Sequence, residues 1–222
     1  MPKNSDPFVH IPEQSANIFK PVAVAIMFFD VIGFTRETTN ESMRDCIRGI
    51  ENTIYDVLWE DYNWNETNKS NELILIPTGD GYALVFNPKI SLDKVLEVIK
   101  KFCCRLSENL QKFKFRVGVA KGWCLVHKDS NDKNNVFGYG INLANRVMGL
   151  ALENQILIHE VLAEEILTQR EHNELHKVGS EFHIKHGEVL KVYNFYGEYQ
   201  GDIFGNKDEP VDPITQKPGG DQ

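Results

Sequence analysis

The sequence has no long hydrophobic run. The longest, Val22 to Phe29, spans eight residues, against the about 20 that a membrane-crossing helix needs. The first twenty residues hold no apolar signal core, and Asp6 and Glu13 fall where one would lie. The expectation is a soluble, cytoplasmic protein that does not bind membranes. Cysteine is scarce: Cys46, Cys103, Cys104 and Cys124 form no C-x-x-C pair and read as reduced core thiols. Positive charge is short, with 24 Lys and Arg against 32 Asp and Glu and a formal net charge of −8. No basic stripe gathers the cations, so stable nucleic-acid binding is not expected. There is no H-E-x-x-H and no G-x-x-x-x-G-K-[ST], which removes two common signatures, the zincin and the P-loop. His172 and His176 sit in a polar stretch and read as a solvated helix end.

What is present is globular. Hydrophobic residues make up 41% and charged residues 25% of 222 positions, enough for one sizeable domain. Residues 1–20 read as a polar arm, 21–198 as the domain, and 199–222, rich in Gly, Pro and Asp, as a flexible tail. The apolar run at 22–29 has the β-branched and aromatic content of a strand buried on both faces. Met43, Cys46, Ile47, Ile50, Ile54, Val57 and Leu58 predict a helix over about 42–59, followed by an Asn-rich loop to Ser70. Segments 73–76 and 82–86 predict a hairpin closed by Thr78-Gly79-Asp80-Gly81. A second amphipathic helix follows at 92–110, then a strand at 113–119 with Lys114 and Arg116 on its outward side. A short helix at 142–151, a strand at 156–158, a helix at 160–168 and closing strands to Tyr196 complete the order. That order predicts an α+β sandwich, with helices packed on a largely antiparallel sheet.

Two acids stand where acids are costly. Asp30 ends the apolar run, and Asp80 sits at the hairpin tip. Singly, each reads as a cap or turn residue. Together they suit Mg²⁺ or Mn²⁺, hard cations that bind phosphate oxygens through one or two carboxylates. Asn142 and Arg146, four apart, share a helix face behind Gly138-Tyr139-Gly140.

These residues resemble a known pattern. Phe29-Asp30-Val31-Ile32-Gly33-Phe34-Thr35 resembles the F-x-D-I-x-G-F-T signature of the class III nucleotidyl cyclases. Gly79 to Tyr82, Phe115 to Val119, Gly138 to Arg146 and Ile184 to Tyr193 follow in the family's order. The resemblance implies that Asp30, Asp80 and the Val31 carbonyl hold two divalent cations. It implies that Asn142 orients the ribose and Arg146 meets charge developing on the α-phosphate. It also implies that Arg116 and Lys185 hold the triphosphate and that Phe29 lines the substrate site. In that family one domain supplies the metal aspartates and another the Asn and Arg. This chain carries both sets, which implies a homodimer with two equivalent sites.

Two positions depart from the purine enzymes of the family. Those enzymes read the base with Lys or Glu, and with Asp or Cys, where this chain has Ile76 and Asn135. Ile76 forms no hydrogen bond, whereas an asparagine amide both donates and accepts. In this, and in its short format, the chain resembles the bacterial Pycsar pyrimidine cyclases. Those make cyclic UMP or cyclic CMP from UTP or CTP for a separate effector in anti-phage defence. Tyr55 either narrows the pocket to a single ring or packs at the helix edge. A purine cyclase of relaxed base recognition and a non-catalytic nucleotide-binding domain are the other readings.

Overall fold

The computed structural model describes residues 21–34, 39–61, 73–128, 134–184 and 187–210. The expected arm at 1–20, Thr35, the loop at 62–70, Lys185 and residues 211–222 lie outside the described residues. In chain order the elements begin with β1 (Val22–Ile32), α1 (Asn40–Ile54) and a run of wider π-helical turns, Tyr55–Asp61. Next come β2 (Leu73–Pro77), β3 (Gly81–Phe86), α2 (Leu92–Leu110), β4 (Lys114–Lys128), β5 (Asn134–Gly138) and α3 (Tyr139–Leu150). The chain continues through β6 (Gln155–His159), α4 (Glu160–Gln169), β7 (Leu175–Lys177), β8 (Phe182–His183) and β9 (Val189–Leu190). It closes with β10 (Val192–Phe195), β11 (Gly197–Tyr199) and β12 (Asp202–Phe204).

The α+β sandwich expected from the element order is the one that forms. An eight-stranded sheet runs β2-β3-β1-β4-β6-β10-β7, with β5 paired to β4. All its pairings are antiparallel except β4 with β6. β1 lies near the middle, and its alternation serves two cores. Ala25, Met27, Phe29 and Val31 join the core that also takes buried residues of α1, α2 and α4. Val24 and Ile26 join a second core with Leu143, Ala144 and Val147 of α3. A strand buried on both faces has no polar side to alternate with, which is why it reads as a continuous apolar run.

Helix starts follow their caps. The Thr39 hydroxyl accepts from the Ser42 N–H at 3.2 Å, and the Ser91 hydroxyl accepts from the Lys94 N–H at 3.3 Å. α3 begins at Tyr139, three residues before the expected start, with Gly138 at its N-cap position.

Three expectations need correction. The strand expected to stop at 119 runs on to Lys128, because Ala120 to Cys124 pair with β1 and Cys124 to Lys128 pair with β5, a strand whose Asn134 and Asn135 break the apolar pattern. The tail expected from 199 is docked as far as the description goes. β11 pairs with β12, Phe204 is buried against Phe195 with ring centroids 5.0 Å apart, and Gln155 Nε2 donates to the Asp208 carbonyl at 2.6 Å. One aromatic anchor and a few side-chain-to-backbone bonds fix a segment whose average composition is polar. His172 is not on a solvated helix end: it is buried after α4, with Nε2 3.3 Å from Asp93 Oδ1, while His176 lies on β7 and stacks on Tyr196.

All four cysteines are buried thiols outside any disulfide. Burial pushes the Cys103 thiol well up and raises Cys104 to about 11. Among the described residues no helix is long and apolar enough to cross a membrane.

Candidate active site

Asp30 faces the α3 side of the sheet, because β1 sends Phe29 to one face and Asp30 to the other. It sits opposite Gly81 on β3 and Arg116 on β4. The Arg116 Nε and Nη2 both donate to Asp30 Oδ2, at 3.1 and 2.8 Å. Asp30 is only 8% exposed, and its other oxygen, Oδ1, is buried without a hydrogen-bond partner. Burial pushes the Asp30 carboxyl above the usual carboxylate range. The Arg116 guanidinium pulls it down, and the neighbouring Asp80 carboxyl pushes it further up.

Asp80 is brought there by the hairpin. The Val31 N–H donates to the Asp80 carbonyl at 3.0 Å, and the Thr78 N–H donates to the Gly81 carbonyl at 3.0 Å. The turn is thus tied to the end of β1. Gly81 is required at the crossing, since a Cβ there would lie 1.9 Å from the Phe29 carbonyl oxygen.

The resemblance calls for divalent cations at this pair, and the residues fit them. An orphaned buried carboxylate oxygen beside a second carboxylate is a donor set for a hard cation that takes its remaining ligands from phosphate and water. Among the described residues no cluster of three or more His, Cys, Asp or Glu forms, at this pair or elsewhere.

A second cluster stands on α3. This helix lies directly on β4: a Cβ at Gly118 would be 2.1 Å from the Met148 backbone nitrogen and 2.5 Å from the Ala144 carbonyl oxygen. Leu143, Ala144 and Val147 point into the second core, leaving Asn142 exposed and Arg146 half-buried. The Arg146 guanidinium is bonded to the Glu188 carboxylate. No hydrogen bond or ion pair among the described residues joins the Arg146 cluster to the Asp30 cluster.

The remaining site positions divide. Ile76 on β2 and Asn135 on β5 come from strands that approach each other. Ile76 packs against the core cluster that includes Val136. The Asn135 Oδ1 accepts from the Val136 N–H at 2.8 Å. Tyr55 is 54% exposed on the helix layer of the other face, its ring stacked on Trp59. Phe29 is a correction. Its side chain is fully buried between Tyr82 and Phe102, so it supports the site from beneath and presents no surface to a substrate. Nothing in the sequence gives Glu188 a role, since its partner is 42 residues away along the chain. The Asp30–Arg116 pair is hidden in the sequence for the same reason, at a separation of 86. Residue alternation places both on one side of their strands, but only the register makes them partners.

Residues 19–197 match the family described as the adenylate and guanylate cyclase catalytic domain. The chain belongs to that family. No curated protein matches it. Solved structures share the fold of this cyclase domain at low identity. The guanylate cyclase domain of RhGC from Catenaria anguillulae, in complex with GTP, is 16% identical, with a TM-score of 0.60 over 80% of this chain and 97% of that one. The adenylyl cyclase CyaB from P. aeruginosa is 15% identical, with a TM-score of 0.61 over 82% and 97%. The non-canonical dimeric guanylyl cyclase domain of the RhoGC fusion protein from Blastocladiella emersonii is 17% identical, with a TM-score of 0.56 over 79% and 97%. The chain therefore carries a nucleotidyl cyclase catalytic domain.

Proposed function

We propose that this domain is a pyrimidine nucleotide cyclase acting as a homodimer on UTP, or on CTP, to form the 3′,5′-cyclic monophosphate and pyrophosphate. In the reaction the 3′-oxygen forms a bond to the α-phosphorus, loses its proton, and pyrophosphate departs. Two divalent cations, Mg²⁺ or Mn²⁺, held by Asp30, Asp80 and the Val31 carbonyl would supply phosphate neutralisation and a lowered pKa for the hydroxyl. Arg116 and Lys185 bind the triphosphate. Asn142 orients the ribose, and Arg146 stabilises charge growing on the α-phosphate, the kind of preorganised electrostatics that dominates many catalysed reactions.

The observation that carries the base assignment is at Ile76 and Asn135. Ile76 gives no hydrogen bond. The Val136 N–H donates to the Asn135 oxygen, which leaves the amide's two N–H donors for a ligand. An amide donor suits uracil O4 and cytosine N3 alike, so UTP is favoured over CTP on the family resemblance alone. A purine would leave more edge groups unpaired, at about 1–3 kcal/mol for each one buried.

The dimer is supported by the separation of the two clusters and by a surface. Trp123 and Phe137 are 62% and 49% exposed, on the β4–β5 ribbon where Phe137 pairs with Leu125. Exposed aromatics on a paired ribbon are suited to a self-complementary contact. By the resemblance to the Pycsar enzymes, the product is a messenger for a separate effector in anti-phage defence.

The test is to incubate the purified protein with each of the four triphosphates and Mn²⁺ and to identify cyclic products by mass. UTP or CTP is expected to exceed ATP and GTP at least tenfold in kcat/KM. ATP as best substrate would leave a purine cyclase of relaxed recognition. Binding without pyrophosphate release would leave a regulatory domain.

A further inference from the structure

The Asp30–Arg116 pair has a role beyond holding phosphate. Resting on the cyclase reading, we propose that Arg116 acts as a built-in counter-cation for Asp30 in the nucleotide-free protein. The triphosphate and the divalent cation then compete for the two ends of one ion pair, and each strengthens the binding of the other by breaking it.

Three observations carry this. First, both Arg116 donors converge on a single oxygen, Oδ2, while Oδ1 stays buried and unpaired. The carboxylate is half neutralised and half open, as expected of a site held for a cation. Second, Arg116 lies directly across from Asp30 in the β1–β4 register, so the backbone keeps the guanidinium within reach of the acid while its long side chain stays free to move. A divalent cation entering at Asp30 meets that positive charge at close range. Third, the Arg116 side chain is 34% exposed against 11% for Asp30. The guanidinium can swing outward; the carboxylate cannot.

A triphosphate offers the guanidinium a second planar fork of oxygens with more negative charge than one carboxylate. Moving Arg116 to phosphate exposes both Asp30 oxygens to the cation. Linkage makes the effect reciprocal: a cation that displaces Arg116 from Asp30 prepares it for phosphate. The protein thereby resists filling its metal site without substrate.

The test measures each ligand alone, on the full chain. Mn²⁺ without nucleotide is followed by paramagnetic resonance of the free ion. Arg116→Met is expected to bind Mn²⁺ about tenfold more tightly than the unaltered protein, and Asp30→Asn in the same chain should remove that gain. Arg116→Gln, which keeps a polar group at the half-exposed position, serves if the methionine variant does not fold by circular dichroism. The reciprocal arm uses UTP in excess EDTA, read by calorimetry. Asp30→Asn should bind metal-free UTP about tenfold more tightly, and Arg116→Met should bind it more weakly. Unchanged Mn²⁺ affinity in the folded Arg116 variants overturns the proposal. Absence of any Asp30-dependent Mn²⁺ binding, in all variants, overturns instead the metal assignment on which it rests.

Discussion

Asp30 is a charged group placed where burial opposes charge, and its surroundings show how that is tolerated. One oxygen takes two donors from Arg116 and the other takes none. Replacing Asp30 with Ala leaves Arg116 without its partner, but a side chain one-third exposed can be solvated. The expected result is a folded protein without detectable cyclase turnover, and Asp80→Ala should behave alike. Product by mass and the circular dichroism spectrum check the two halves of that statement. Unfolding of either variant would make the acid structural. At this scale the sequence was informative wherever a residue type was out of place. An aspartate ending an apolar run and another inside an apolar hairpin needed no partner in view to be singled out. What stayed hidden were the partners. The resemblance gives Arg116 a role toward the triphosphate but not its partner, and Glu188 carries no signal at all; register and loop closure put them against Asp30 and Arg146.

At the level of elements, the catalytic geometry depends on how closely α3 sits on β4. Gly118 permits that approach, and Gly149 of the same helix faces open space. Gly118→Ala would drive a Cβ to 2.1 Å from the Met148 nitrogen, a backbone atom that cannot step aside without moving the helix. A loss of about 3 kcal/mol in denaturant unfolding is expected, with a fall in kcat because Asn142 and Arg146 move with α3. Gly149→Ala is the control. With nothing within 4 Å, it should be neutral or stabilise by up to about 1 kcal/mol through helix propensity. Elements were legible where period and length agreed, as in β1 and α2. They were not where pairing alone creates the strand. β5, with two asparagines among five residues, and the hairpin ending in Phe204 owe their form to a neighbour and to one buried ring.

For the molecule as a whole, the two clusters of the site are held by separate ion pairs within a chain, Asp30 with Arg116 and Arg146 with Glu188. If they act on one substrate across a dimer, inactive Asp30→Ala and Arg146→Ala chains should restore activity when mixed. A mixed dimer keeps one complete site out of two, so each mixed dimer is expected to turn over at about half the rate of the unaltered dimer, or about a quarter overall when chains pair at random, read as cyclic product from co-refolded chains. Mixed dimers shown to form without activity would place the whole site in one chain.

The place of β1 in the sheet also bears on how the protein is made. It is the first strand among the described residues, yet it is flanked by β3 and β4, and Val22 pairs with Cys124. During synthesis the hundred-odd residues between those partners take on the order of 5–20 s to appear. Throughout that interval the most apolar segment of the protein waits at the ribosome with one edge unpaired, a condition that favours association with other nascent chains or with chaperones. Contacts this distant along the chain also slow the search for the native topology. Asp30 and Arg116 come together only when that register forms, so this side of the site cannot exist before β4 has been made.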